Sequence, residues 1–120
     1  MNSDSNISKD HYERVLSAMS TINYSASDLI RSTGMSVVYR TLDAEGNITH
    51  TTIERLYKYL QDDYDISKGA AESRIRKFKQ HFLYDNENAE LLNRVFGENW
   101  KSLTLYDFII ELAKYITTIW

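Results

Sequence analysis

Residues 65–83 carry the pattern that most limits how this chain can fold. Four apolar side chains in this segment fall within one narrow arc of a helix that turns about 100° per residue; they are Ala71, Ile75, Phe78 and Phe82. A helix with such a stripe has to bury it against other elements. The chain of 120 residues also lacks proline, which favours uninterrupted helices with short connections. The sequence therefore predicts a mainly α-helical protein.

The opposite face of this predicted helix is basic, although the whole chain has a net charge of −3. Residues 66–81 contain five Lys or Arg residues and one Glu. Small side chains would let the backbone approach a surface, while Arg, Lys and Gln can reach phosphates and base edges. The candidate DNA contacts on this helix are Lys68, Ser73, Arg74, Arg76, Lys77, Lys79 and Gln80. The alternative is a solvated amphipathic helix whose charges only keep the protein in solution.

Apolar spacing predicts helices along most of the remaining chain. We expect residues 1–7 to be a flexible tail and residues 8–120 to form a single compact domain. Helices are predicted over about residues 9–21, 26–33, 52–63 and 67–83, with two more through residues 91–96 and 108–119. Gly34 is expected to end the second helix, and Ser67 to cap the basic helix. Residues 52–83 thus form a predicted helix-turn-helix.

Residues 36–52 allow two interpretations. They are rich in β-branched and aromatic side chains around the polar loop 43–47, which has the turn chemistry of a short β hairpin. In that case Arg40 and His50 lie on the hairpin and would contact the flanking DNA backbone. In the other case, residues 37–44 are the second helix of a helix-turn-helix whose turn contains Met35 and Ser36. Residue propensity favours the hairpin.

A weak internal repeat divides the chain into residues 8–64 and 65–120. Residues 27–30 resemble residues 89–92, with Asp-Leu-Ile matched by Glu-Leu-Leu. These matches predict an internal pseudo-dimer of two halves of about 60 residues each. The alternative is a chance similarity between amphipathic helices.

Several classes of chemistry are not expected from this chain. It has no Cys and only three separated His residues, which leaves no disulfide and no common zinc motif. No P-loop, dinucleotide-binding glycine motif or nucleophile elbow is present. We therefore expect no catalytic residue, no metal, no cofactor and no enzymatic activity. The absence of an apolar run near about 18 residues, and of an export signal, predicts a cytoplasmic protein that does not enter a membrane.

The strings LIRSTGM, YRTLDAEGNI and SRIRKFK resemble winged-helix regulators of the excisionase and MerR type. In size, acidity and apparent repeat layout the chain is also similar to small DNA-binding proteins of Gram-positive conjugative type IV secretion systems. These resemblances imply a sequence-specific double-stranded DNA-binding protein of a conjugative plasmid or phage. It would act as a transcriptional regulator or a transfer-origin accessory factor, as a pseudo-symmetric monomer or a homodimer, with other transfer or regulatory proteins as candidate partners.

The C-terminal half departs from this picture because it lacks an equally basic second helix. Arg94, Lys101 and Lys114 would have to serve a second DNA half-site. A different class of function is therefore also open, namely a protein-binding inhibitor or adaptor without DNA binding. Its interface would use the acidic segment 85–98 and the tyrosines.

Overall fold

Six α-helices make up the secondary structure of the part of the chain that the structure describes. This computed structural model describes residues 3–22, 26–84, 89–99 and 102–120. The helices are α1 (Ser3–Ser20), α2 (Asp28–Thr41), α3 (Ile53–Tyr64), α4 (Lys68–Tyr84), α5 (Ala89–Phe96) and α6 (Leu105–Thr118). The prediction of a mainly α-helical protein is confirmed. Helix α1 begins at Ser3, so most of the predicted N-terminal tail has a helical backbone.

Helix α2 is longer than the sequence predicted, which affects both the expected helix end at Gly34 and the fold expected for residues 36–52. It runs without interruption from Asp28 to Thr41, through Gly34, which was expected to end it. The hairpin predicted over residues 36–52 is wrong, because residues 36–41 are helical and only Leu42 and Ile48 form an isolated antiparallel bridge. In the alternative interpretation, the helix from residue 37 is confirmed as far as Thr41, but the turn at Met35 is wrong because α2 continues through it. Residues 26–84 contain no β-strand, so the structure does not show a winged-helix fold there.

Tertiary burial explains why β-branched residues are helical here. Helix α2 packs against α1, α3, α4 and α6, and Val37 and Val38 are both fully buried. Burying a valine side chain stabilises a fold by about 1.5–3 kcal/mol, which exceeds the difference in secondary-structure propensity of about 1 kcal/mol or less. The buried Thr41 stays satisfied because its hydroxyl donates to the Val37 carbonyl oxygen at 2.7 Å.

Gly34 sets the distance between α2 and α4. A Cβ atom at this position would lie 2.6 Å from Cζ of Phe78, and closer still to Cε1. Real Cβ atoms do not approach a ring this closely, so only glycine lets the two helices cross here. The glycine that looked like a helix stop therefore serves close helix packing.

The apolar stripe of α4 lies in the core, as its spacing predicted. Ala71, Ile75 and Phe78 are fully buried, and Phe82 nearly so. An aromatic cluster joins α4 to α5 and α6, with Phe108 at its centre. The Phe108 ring centroid lies 5.5 Å from that of Phe78, 5.6 Å from that of Phe82 and 5.4 Å from that of Phe96.

The internal repeat stays a prediction. The boundary expected between the halves falls in the turn between α3 and α4, and three of the described helices lie on each side of it. However, α2 has 14 residues and its predicted counterpart α5 has 8.

Candidate nucleic-acid interface

Helices α3 and α4 form a capped helix-turn-helix close to the predicted bounds. Helix α3 ends at Asp65, whose φ of 52° is left-handed and whose N–H donates to the Gln61 carbonyl oxygen. Residues 65–67 form the turn. The Ser67 hydroxyl oxygen then accepts a hydrogen bond from the N–H of Ala70 at 3.1 Å, in the cap that the sequence predicted. Both helix ends are thereby satisfied locally, which fixes the direction in which α4 leaves the turn.

The face of α4 opposite its apolar stripe is open to solvent. Arg76, Lys77 and Gln80 are exposed on this face, with Ser73 half-buried beside them, and Lys68 is exposed in the first turn of the helix. These five residues are hereafter called the basic face. Five of the seven candidate contacts predicted on this helix therefore reach solvent, four of them on the face opposite the stripe.

The other two candidates on α4 are engaged inside the protein. The Lys79 amino group donates to the carbonyl oxygen of Leu103, in the segment before α6, and burial lowers the pKa of this lysine. The Arg74 guanidinium lies over the ring of Tyr64 at 4.5 Å from its centroid. Both side chains are half-buried, so they tie α4 to its neighbours more than they extend the basic face.

Two cations of the basic face carry exposed ion pairs. Lys68 Nζ lies 2.7 Å from Glu54 Oε2, and Arg76 pairs with Glu72 one turn earlier on α4. Exposed pairs of this kind are screened by solvent and contribute little to stability, so both cations can exchange a carboxylate for a phosphate at low cost. Lys77 has no ion pair with any described residue.

Arg40 and His50, the candidates outside α4, do not share a hairpin. Arg40 lies in the last turn of α2 and donates two hydrogen bonds to Asp63 of α3, one of them from Nη2 to Oδ1 at 2.9 Å. Its guanidinium also stacks on the Tyr59 ring. His50 is exposed in the loop between α2 and α3. Arg40 is therefore already committed to a bidentate contact within the protein.

The contact between Arg40 and Asp63 predicts a dependence of stability on pH. The Arg40 hydrogen bonds, and the Ser36 hydroxyl that donates to Oδ2 at 2.8 Å, hold the pKa of Asp63 below its ordinary value. A lowered pKa stabilises the fold above the ordinary Asp pKa of about 3.9, and the stabilisation is lost as the pH falls through the lowered value. We expect Asp63→Asn to reduce the free energy of unfolding at pH 7 by about 1 kcal/mol.

Urea denaturation of both proteins between pH 7 and pH 2.5 measures this effect, and the difference between them should shrink toward the acid end. Asp62→Asn is the matched control. Its carboxylate pairs with Lys58 in a contact where both side chains are more than 60% exposed, so a smaller change is expected. Equal losses of unfolding free energy for the two variants would contradict the stabilising role of the contact between Arg40 and Asp63.

A cleft beside the basic face was not foreseen. It has a volume of about 460 Å³ and lies between the start of α2 and one edge of α4. Its lining residues are Ser27, Leu29, Ile30, Ala70, Ser73, Arg74, Lys77 and His81. The N-terminal cap of α2 and the basic edge of α4 are far apart in the sequence, and nothing in the spacing of either predicts that they meet.

The described ranges contain neither a cluster of metal-ligating side chains nor a helix that could span a membrane. No three His, Asp or Glu side chains there come together as metal ligands. None of the helices there has the length and apolar character needed to cross a membrane.

Comparisons of the chain with protein-family models, with curated proteins and with solved structures find no match.

Proposed function

We propose that this protein binds double-stranded DNA sequence-specifically through the helix-turn-helix of α3 and α4. The observation that carries the proposal is the exposed basic face of α4. The opposite side of α4 is buried in the core, and the capped turn fixes the direction of the helix. Helix α4 has 17 residues and is about 25 Å long, and the major groove is about 12 Å wide, which admits a helix.

The side chains of the basic face suit two kinds of DNA contact. Lys68 and Lys77 would neutralise backbone phosphates, while Arg76 and Gln80 have the donor and acceptor geometry to recognise base edges. Lys79 and Arg40 have no direct role in this proposal, because both are held by contacts within the protein. The net charge of −3 opposes binding to arbitrary DNA and so favours dependence on specific base contacts.

The setting that the family resemblance implies belongs to the same proposal. The protein would act in the cytoplasm as a regulator or transfer-origin factor of a plasmid or phage. It would bind as a monomer with internal pseudo-symmetry or as a homodimer.

Selection of bound duplexes from a random pool, followed by a salt titration on the selected site, tests the proposal. We expect an affinity that falls steeply with salt. Lys77→Ala should weaken binding to all duplexes and reduce the salt slope by about one unit, while Gln80→Ala should relax base preference at one or two positions. No measurable binding to any duplex at low salt would reject DNA binding.

Lys58→Ala is the matched control for Lys77→Ala. It removes the same charge from an exposed lysine on α3 that is paired with Asp62 and is not part of the basic face. Its effect on affinity should be much smaller. Equal losses for the two variants would show that only net charge matters and would contradict a role for α4.

A protein-binding module is the second candidate, and the surface of α1 favours it. Tyr12 and Leu16 lie one turn apart on this helix and are 42% and 43% exposed. They border shallow grooves that Met35 of α2 also lines. Exposed apolar side chains of this kind favour protein contacts over DNA contacts. Part of the acidic segment 85–98, which was predicted to form such an interface, lies outside the described residues. The same salt titration separates the two candidates, since this module has no affinity for DNA.

A further inference from the structure

The cleft between the start of α2 and the edge of α4 has the composition of a site for a small anion. Its eight lining residues include Arg74, Lys77 and His81 and no Asp or Glu. Side chains of one charge sign in a recess with low-dielectric walls raise the local concentration of counter-ions. The cleft therefore attracts anions even though the whole chain is acidic.

The polar groups of the cleft come from two elements and converge on one space. Ser73, Arg74, Lys77 and His81 follow each other along one edge of α4. The Ser27 cap and the first turn of α2 face them. The N-terminal end of a helix favours a negative charge; this turn also carries Asp28, whose side chain does not line the cleft. Lysine, arginine and hydroxyl groups are the usual ligands of phosphate oxygens.

Arg74 has hydrogen-bonding capacity that the fold leaves unused. Its guanidinium is held over Tyr64, and its Nη1 atom is enclosed without a hydrogen-bond partner. A guanidinium has five N–H donors, and buried donors are normally paired. Nη1 itself is closed off from solvent, so an anion in the cleft would bind the other N–H groups of a guanidinium that is already ordered, and little rotamer entropy would be lost on binding.

The size and the apolar part of the lining indicate more than a bare ion. A volume of about 460 Å³ lies within the range of small-molecule sites, which is about 300–1,000 Å³. Leu29, Ile30 and Ala70 provide an apolar wall. A phosphate alone leaves this wall uncovered, whereas a phosphorylated organic molecule of mononucleotide size covers it.

We propose that this cleft binds a small phosphorylated organic molecule, with its phosphate between Lys77 and Arg74 and its organic part against Leu29 and Ile30. Lys77 also belongs to the basic face, and Ser73 lines the cleft as well. The ligand and DNA would therefore compete for the same side chains, so that the ligand releases DNA. This second step rests on the proposed function, whereas binding of the ligand does not.

A titration of the ¹⁵N-labelled full chain with adenosine monophosphate, followed by NMR, tests the site without DNA. We expect shifts concentrated on the amides of Leu29, Ile30, Ser73, Arg74 and Lys77. Adenosine and inorganic phosphate serve as separate probes, and each should bind at least fivefold more weakly than the nucleotide. Lys77→Gln should weaken nucleotide binding about tenfold, while Lys58→Gln should leave it unchanged.

Different results overturn the two proposals. Shifts spread over exposed Lys and Arg residues on other helices, or no loss with Lys77→Gln, would reject the cleft as a site. Equal binding of inorganic phosphate would also reject it, since the organic part would then make no contact. Nucleotide binding without DNA binding would leave the site standing and reject the proposed function. DNA binding without nucleotide binding would reject the cleft as a site and leave the proposed function standing.

Discussion

Gly34→Ala is expected to destabilise the protein by about 1–3 kcal/mol, although alanine usually favours a helix over glycine by about 1 kcal/mol. The reason is the close crossing of α2 and α4. The added methyl group would overlap the ring of Phe78, at 2.6 Å from Cζ. Phe78 is fully buried and packed against Phe82 and Phe108, so its ring has no free space to move into. The helices themselves would have to separate.

Thermal and urea unfolding measure this effect, and the melting temperature should fall by several degrees. Gly69→Ala is the matched control, because a Cβ atom there would meet only the Ser67 hydroxyl oxygen at 4.0 Å. Its stability should be unchanged or slightly raised. If Gly34→Ala is as stable as Gly69→Ala, the result would contradict the close approach of α2 and α4 at this position. It would also contradict the shape of the cleft between the same two helices.

Phe108→Ala should have the largest effect of any single change, a loss of about 3–5 kcal/mol. Phe108 is fully buried, and its ring meets those of Phe78, Phe82 and Phe96, which come from α4 and α5. Removing it leaves a cavity where three helices join and deletes three edge or stacked ring contacts. Small domains are stable by only about 5–15 kcal/mol, so the variant would lose a large part of that total.

Phe108→Leu is the comparison that separates cavity formation from the loss of aromatic contacts. It keeps most of the volume and should lose clearly less stability than the alanine variant. Urea denaturation with tryptophan fluorescence as the probe gives both values. A loss below about 1 kcal/mol for Phe108→Ala would contradict the central position of this ring in the core.

The helix-turn-helix was predictable because its determinants are local. The stripe from Ala71 to Phe82 has one period and one face, and the Ser67 cap acts within a single turn. The exposure of Lys77 and Gln80 follows from the same helical periodicity, which places them opposite the stripe. Sequence alone therefore indicated where the basic face lies and which core residues oppose it.

Residues 36–41 were mispredicted because the deciding interactions are not local. Their propensity favours a strand, but α2 is surrounded by four other helices, and burying Val37 and Val38 outweighs that preference. Gly34 was mispredicted for a related reason. A glycine that ends a helix and a glycine that admits a neighbouring ring are identical in sequence, and only the position of Phe78 distinguishes them.

The sequence by itself determined the helical class, the buried stripe of α4, the capped turn before it and the excess of positive charge opposite the stripe. Each depends on spacing or chemistry within a few residues. Only the tertiary structure decided which charges are available. It places Lys79 on the Leu103 carbonyl and Arg40 on Asp63, and it leaves Lys77 beside a cleft that α2 completes. Those outcomes depend on which distant groups meet, and pairing across the fold is set by packing of the whole core rather than by any local pattern.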